Sequence, residues 1–173
     1  MTLIQTVAFE KAEGIVKQGY QSFKEKLGVI PKPMEMMSAS PFLFESQLKR
    51  IQYYSQHPTL GFALLTHIRY LAAETLKFPF CMKFNREMLK KIGLTDTDIS
   101  MMTQDPEKCM LETNETAMLE FVMKAMKEPG SVTAEDIDIL RQHGWNDRDM
   151  MDALAHGVNM VDHAVMMQAF QID

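Results

Sequence analysis

Hydrophobic residues recur at intervals of three and four along most of this 173-residue chain, the spacing that places side chains on one face of an α-helix. No segment is a strand candidate. Glycine, proline and capping residues separate the periodic segments and bound seven or eight predicted helices. These helices cover about 5–27, 41–54, 62–76, 79–92, 95–102, 114–128, 133–143 and a last segment of about six turns that begins near 147.

Two segments interrupt the pattern. Residues 30–33 carry two prolines and are predicted to be a connector, because proline lacks an amide donor and disfavours helical geometry in the residue before it. Residues 103–113 are polar and predict a surface loop. The apolar stripe of 62–76 is broad, so that helix is predicted to be central. The last helix is predicted to use Met150, Leu154, Val158, Val161 and Val165 as its apolar face.

The composition agrees with an all-α fold. Seventeen methionines against eight valines favour helices over strands, and we interpret the methionines as core-filling side chains. A hydrophobic fraction of 46% with 24% charged residues is typical of a globular chain and excludes a disordered one. The length fits one domain, so we predict a single multi-helical bundle of helical hairpins over residues 1–173.

Charge and hydropathy exclude several partners. Eighteen basic against 23 acidic residues give a net charge of −5 without a basic cluster, so nucleic acid is not expected as a partner. The longest uncharged apolar run, near 62–68, is far shorter than the ~20 residues of a membrane span. The first residues do not resemble a signal peptide, which predicts a cytoplasmic protein with two free thiols.

Cys81 is the most informative candidate for chemistry. If Pro79 begins a helix, Cys81 lies in its first turn, where free backbone amides and the helix dipole stabilise a thiolate. Lys77 and Lys83 add positive charge nearby. Such a thiolate is a nucleophile toward peroxides and disulfides. The alternative is an inert cysteine buried among the neighbouring phenylalanines, because free cysteine is among the most buried residue types.

Several motifs together resemble the alkylhydroperoxidase D and carboxymuconolactone decarboxylase superfamily. They are Gly28–Pro31 followed by Pro41, the helix that runs into Phe78–Cys81, Leu94–Ile99, Val132–Thr133, Gly144–Asp149 and the closing helix through Asn159. The resemblance implies an all-helical fold whose protomers assemble as dimers, trimers or hexamers. It also implies a Cys-x-x-Cys dithiol at a helix start, which reduces peroxides with help from a glutamate one helix earlier and a histidine just after.

Most of these implied catalytic positions are altered in this chain. The first cysteine position is Phe78, the second is Cys81, and the histidine position is Asn85. The expected glutamate falls near Thr66, with His67 beside it. A dithiol reaction needs a second thiol, which phenylalanine cannot supply. The resemblance therefore implies a peroxidase-related, antioxidant oxidoreductase with a degenerate redox centre at Cys81.

In this hypothesis Cys81 reacts with peroxide, a small thiol or a redox protein reduces it again, and Asn85 and His67 offer hydrogen bonds. No organic cofactor and no metal is expected. Glu74 would replace the missing carboxylate, although an exposed helix glutamate is its ordinary interpretation. Cys109 would resolve an oxidised Cys81 only if the two Cα atoms approach within about 7 Å.

Two other functions stay open. One is a non-redox enzyme like the lactone decarboxylases, with His67, Glu74 or His163 as acid–base groups. The other is a homo-oligomeric binding or scaffold protein without catalysis. His156, Met160 and His163 share one face of the last helix, but the histidines lie two turns apart, about 10 Å along the axis, and are not a natural metal pair. We interpret that face as polar packing or an oligomer interface.

Overall fold

A computed structural model describes residues 2–172 of the chain and contains nine α-helices, three short 3-10 helices and no strand in that range. The predicted all-α class is confirmed. None of the described helices is both long and apolar enough to cross a bilayer. The helices are α1 Gly14–Leu27, α2 Lys32–Met37, α3 Pro41–Ser55, α4 Phe62–Thr75, α5 Pro79–Lys91, α6 Asp96–Gln104, α7 Thr113–Lys127, α8 Ala134–Gln142 and α9 Asp147–Ala169.

The first two helices correct the sequence prediction. Helix α1 begins at Gly14 and not near residue 5, because Glu13 is extended and Gly14 has a φ of +53°. The prediction of a connector over 30–33 is wrong for residues 32–33, which are the first two residues of α2. Pro33 is the second residue of α2, a position whose amide has no helical acceptor, so proline can begin a helix there.

Local capping signals predict the later helix boundaries well. Thr95 with Asp98, and Thr133 with Asp136, form reciprocal capping boxes at the starts of α6 and α8. Each box satisfies two backbone amides that a helix start leaves without a partner. These contacts agree with the helix starts predicted near residues 95 and 133.

The chain divides into two compact units, and the single-domain organisation stays a prediction. One unit combines residues 2–57 with residues 165–172, and the other is Pro58–Ala164. In the first unit, α1 and α3 approach closely at Gly19. A Cβ at this glycine would lie 2.5 Å from the Phe44 ring, so a larger residue would force the helices apart.

The second unit is built around α4, as its broad apolar stripe predicts. Nine of the 14 residues of α4 are buried, and the helix packs against α5 and α7. Helix α9 also approaches α4 closely, because Gly157 places its backbone against Ile68. This packing brings polar residues of α4, α5 and α9 together.

The buried face of α9 is more polar than predicted. His156, Met160 and His163 are buried, whereas Val158 and Val165 are 44% and 59% exposed. The prediction that both valines face the core is therefore wrong. Methionine, alanine and histidine side chains fill the buried face in their place. Assembly as a homo-oligomer stays a prediction.

Candidate active site around Arg69

The link between α4 and α5 places Cys81 at a helix start, as predicted. Helix α4 ends with Lys77 in the left-handed region (φ 49°), and the amide of Phe78 donates to the carbonyl of Ala73 (3.1 Å). Pro79 is the first residue of α5, where its missing amide costs nothing. Cys81 is therefore the third residue of that helix.

Burial, and not the position at the helix start, has the largest effect on the pKa of the Cys81 thiol. The residue is 3% exposed, and burial raises the pKa of the Cys81 thiol to about 12. The nearby Arg69 guanidinium acts in the opposite direction and lowers the pKa, with the smaller effect. The direction of the shift is opposite to the one expected from the helix dipole, so the thiol carries its proton at neutral pH.

Arg69 connects three helices through its guanidinium. Its Nε donates to Asn85 Oδ1 (2.9 Å), its Nη2 donates to Thr66 Oγ1 (2.9 Å), and its Nη1 donates to His156 Nε2 (3.1 Å). Asn85 Nδ2 in turn donates to the backbone carbonyl of Cys81 (2.9 Å). We call these five residues, Thr66, Arg69, Cys81, Asn85 and His156, the Arg69 cluster.

The contact with Arg69 also fixes the tautomer of His156. Because a guanidinium has only donors, Nε2 of the imidazole must accept, and the ring proton lies on Nδ1. His156 is buried on α9. A neutral imidazole with its lone pair on the guanidinium adds no charge to the cluster.

The positive charge of Arg69 has no acidic partner. All three side chains that accept from it are neutral, and within residues 2–172 no aspartate or glutamate forms an ion pair with it. The side chain is half-buried, and burial lowers the pKa of Arg69 to about 10. Its guanidinium carbon lies 5.9 Å from the centre of the Phe62 ring. The Phe62 side chain is exposed.

The structure brings only some of the predicted site residues together. Cys81 and Asn85 belong to the Arg69 cluster. His67 is buried in the core, where Nδ1 donates to the carbonyl of Ala63 (2.8 Å). Glu74 accepts from the hydroxyl of Tyr70 (2.5 Å) instead of joining the cluster.

The two remaining candidates, Cys109 and His163, have no contact with Cys81 among those described, and the two cysteines are not joined by a disulfide. Cys109 and Cys81 are both free thiols, and Cys109 Sγ lies 3.3 Å from Thr116 Oγ1. His163 is buried on α9, seven residues after His156. In the described part of the chain, no three metal-ligating side chains converge on one point.

We expect His67 to destabilise the fold in acid. Nε2 of His67 is buried without a hydrogen-bond partner among the described residues, and burial lowers the pKa of the ring. The unfolded chain therefore binds a proton more readily, so stability is complete above about pH 6.5 and falls as the pH drops below it.

His67→Leu tests this prediction by urea unfolding at pH 7.5, 6 and 5. At pH 7.5 its free energy of unfolding should lie within about 1 kcal/mol of the parent value. Between pH 7.5 and pH 5, His67→Leu should lose less free energy of unfolding than the parent. His143→Gln, a change at a half-exposed histidine, should lose as much as the parent. Equal acid losses in the parent and His67→Leu would refute the prediction.

Two members of the cluster, Arg69 and His156, were not predicted to act together. The available signal was an arginine in a long, otherwise apolar helix, three residues after Thr66 and therefore on the same face. The partner on α9 gave no local signal, because 87 residues separate it from Arg69.

No protein-family model and no curated protein matches the sequence, whereas solved structures share its fold. A peroxidase-related protein from Ralstonia eutropha JMP134, described as an alkylhydroperoxidase D core, superimposes with a TM-score of 0.84. The chain has the alkylhydroperoxidase D fold. The match covers 99% of this chain and 91% of that one, at 16% identity. A peroxidase-related protein from Silicibacter sp. TM1040 gives a TM-score of 0.82 with the same identity and coverage.

Within the alkylhydroperoxidase D fold, two altered motif positions meet at Arg69. Thr66 stands near the position of the implied glutamate, and Asn85 stands at the position of the implied histidine. Both side chains accept a hydrogen bond from the one guanidinium, and the same guanidinium interacts with Cys81. The guanidinium of Arg69 therefore joins the two residues that the resemblance aligns with the implied glutamate and histidine.

Proposed function

We propose that this protein is a peroxidase-related enzyme that reduces hydroperoxides with a single thiol, Cys81, beside the cation of Arg69. The observation that carries the proposal is the Arg69 guanidinium, which interacts electrostatically with Cys81 and hydrogen-bonds both altered motif positions. A fixed positive charge favours the thiolate and the developing alkoxide of a breaking O–O bond. The same enzyme is proposed to act in the cytoplasm as a homo-oligomer.

The reaction needs one protein thiol and two external ones. Cys81 Sγ attacks one oxygen of the hydroperoxide, the O–O bond breaks, and the thiol proton leaves with the alcohol while a sulfenic acid forms. A small external thiol attacks the sulfenic sulfur, which releases water and gives a mixed disulfide. A second external thiol breaks this disulfide and restores the Cys81 thiol, so the external pair is oxidised and the peroxide is reduced.

External reduction follows from the residues around Cys81. Phe78, at the first motif position, is buried directly before α5 and carries no sulfur. Cys109 is a free thiol in the segment before α7, and its Sγ lies 3.3 Å from the hydroxyl of Thr116 in that helix. Because Phe78 has no thiol and Cys109 is not joined to Cys81, the proposed cycle is completed by a thiol from solution.

Cys81→Ser tests the proposal. With dithiothreitol or glutathione as donor, the wild type is expected to consume tert-butyl hydroperoxide, whereas Cys81→Ser falls to the rate of the thiol alone. Cys109→Ser is the matched control and should keep the wild-type rate. The proposal is overturned if Cys81→Ser retains the activity, or if the wild type consumes no peroxide with either donor.

The burial of Cys81 favours one second candidate. A protonated, buried thiol leaves the four other residues of the Arg69 cluster as its polar groups, and an imidazole among them suits a non-redox acid–base enzyme. In that case His156 would replace His67 and Glu74 as the acid–base group, because those two lie outside the cluster. A wild type that is inert toward peroxide but binds a small acid at the cluster would support this candidate.

A further inference from the structure

The guanidinium of Arg69 retains donor capacity for a ligand. Arginine has five N–H donors, and three of the Arg69 donors go to Asn85, Thr66 and His156. Two N–H groups, one on each terminal nitrogen, are left. Paired terminal N–H groups in one plane are the arrangement that binds the two oxygens of a carboxylate.

The missing acid is unusual for a charge in this position. Proteins normally pair a desolvated charge, because leaving it alone costs several kcal/mol. Arg141 of this chain is exposed and still pairs with Asp138 and Asp147. Arg69 is more buried than Arg141, yet it contacts only neutral acceptors. The negative charge that balances it is therefore absent from the described residues.

An apolar surface lies next to this cation. The Phe62 side chain is 57% exposed, and its ring centre is 5.9 Å from the guanidinium carbon of Arg69. A large exposed aromatic side chain beside a cation suits a ligand that has one anionic end and an apolar body. Asn85 links the guanidinium to Cys81, because it accepts from Arg69 and donates to the backbone carbonyl of Cys81, so a ligand bound to Arg69 is held at the cluster that contains the thiol.

We propose that Arg69 binds the carboxylate of a substrate whose apolar part lies against Phe62. The preferred substrate class of the site is then a carboxylate-bearing hydroperoxide, and a neutral hydroperoxide is consumed with a higher KM. This inference rests on the proposed function and deepens it, because it names the substrate of the Cys81 site. The three neutral acceptors hold the guanidinium in place, and the two remaining N–H groups are the donors that we assign to the carboxylate.

Isothermal titration with benzoate and benzamide, at constant ionic strength and without peroxide, tests the inference. The two probes share shape and differ in charge. Wild type should bind one benzoate, and benzamide should bind at least about tenfold more weakly. Inorganic phosphate is the third probe and is expected to bind more weakly than benzoate, because it lacks the apolar body.

Three variants complete the experiment. Arg69→Gln should weaken benzoate binding by about tenfold or more, Arg69→Lys should give an intermediate affinity, and Arg50→Gln, an exposed arginine with the same charge change, should bind like the wild type. Equal binding of benzoate and benzamide by the wild type, no benzoate binding, tighter phosphate binding or an unaltered Arg69→Gln affinity would each overturn the inference. The comparison of probes needs no variant, so a misfolded variant cannot decide it.

A second measurement separates this inference from the proposed function. A hydroperoxide that bears a carboxylate is compared with its methyl ester as substrate of the wild type. The expected KM is at least about tenfold lower for the acid. Equal KM values with active Cys81 overturn the carboxylate inference alone. Benzoate binding without any peroxide consumption overturns the peroxidase proposal alone.

Discussion

Arg69→Gln is expected to slow the alkylation of Cys81 by iodoacetamide at pH 8 by about tenfold or more. A cation within a few ångströms of a thiol typically lowers its pKa by about one unit or more, and the thiolate is the reacting form. Removing the charge leaves only the burial effect, which raises the pKa of Cys81. The rate is measured in a Cys109→Ser background, so that only one thiol reacts.

The controls separate charge from packing. Arg69→Lys keeps a cation and should lose less reactivity than Arg69→Gln, and Arg50→Gln should leave the rate unchanged. Circular dichroism checks that each variant is folded, because an opened core would expose the thiol and raise the rate. A folded Arg69→Gln protein that alkylates as fast as its parent would show that Arg69 does not act on Cys81.

Gly157→Val is expected to lower the free energy of unfolding by about 2–3 kcal/mol and the Tm by about 5–10 °C. A Cβ at this position would lie 2.7 Å from Met126 Sδ, 3.0 Å from Val122 Cγ1 and 3.3 Å from Ile68 Cγ2. The methionine can move, but the branched side chain on α7 cannot. Helix α9 must therefore shift, and His156 shifts with it.

Thermal unfolding with two comparison variants measures this effect. Ala155→Val adds the same side-chain type at an exposed position of α9 and should cost less than about 1 kcal/mol. Gly157→Ala alone should also lower the free energy of unfolding. Adding Met126→Ala to it should restore part of that free energy, because the second substitution removes the atom nearest to the new Cβ. A Gly157→Val protein as stable as the Ala155→Val protein would contradict the packing described for α9.

The sequence predicts the helices where local chemistry determines them. The capping boxes at Thr95 and Thr133 and the proline start of α5 are local signals, and the structure contains all three. The sequence-based prediction fails where one local signal is compatible with two structures. Proline at 33 is equally compatible with a connector and with the first turn of a helix, and the structure forms the helix.

The position of Cys81 in the fold was predictable from the sequence, but the pKa of its thiol was not. The place of Cys81 in the third position of α5 follows from Pro79 alone. The pKa of its thiol depends on desolvation by residues that are distant in sequence, and no local pattern reports that burial. The apolar spacing of α9 likewise favoured Val158 as a core residue, whereas His156 occupies the buried face.

On a helix that is buried nearly all round, the sequence does not indicate which neighbour each side chain contacts. In α4 the adjacent residues Thr66 and His67 are both fully buried but point to different neighbours. Thr66 accepts from Arg69, and His67 donates to the carbonyl of Ala63. From the sequence, His67 is predicted to be a hydrogen-bonding site residue, whereas tertiary packing places Thr66 in the cluster and His67 in the core.

The rate of hydroperoxide consumption against pH, from 6 to 9.5, in wild type and Cys81→Ser tests the central claim most directly. With a thiol pKa of about 12, the wild-type rate should rise about tenfold per pH unit without a plateau, and Cys81→Ser should stay at the donor-only rate throughout. A wild-type rate that levels off below pH 8, or a Cys81→Ser rate that follows the wild type, would contradict the account.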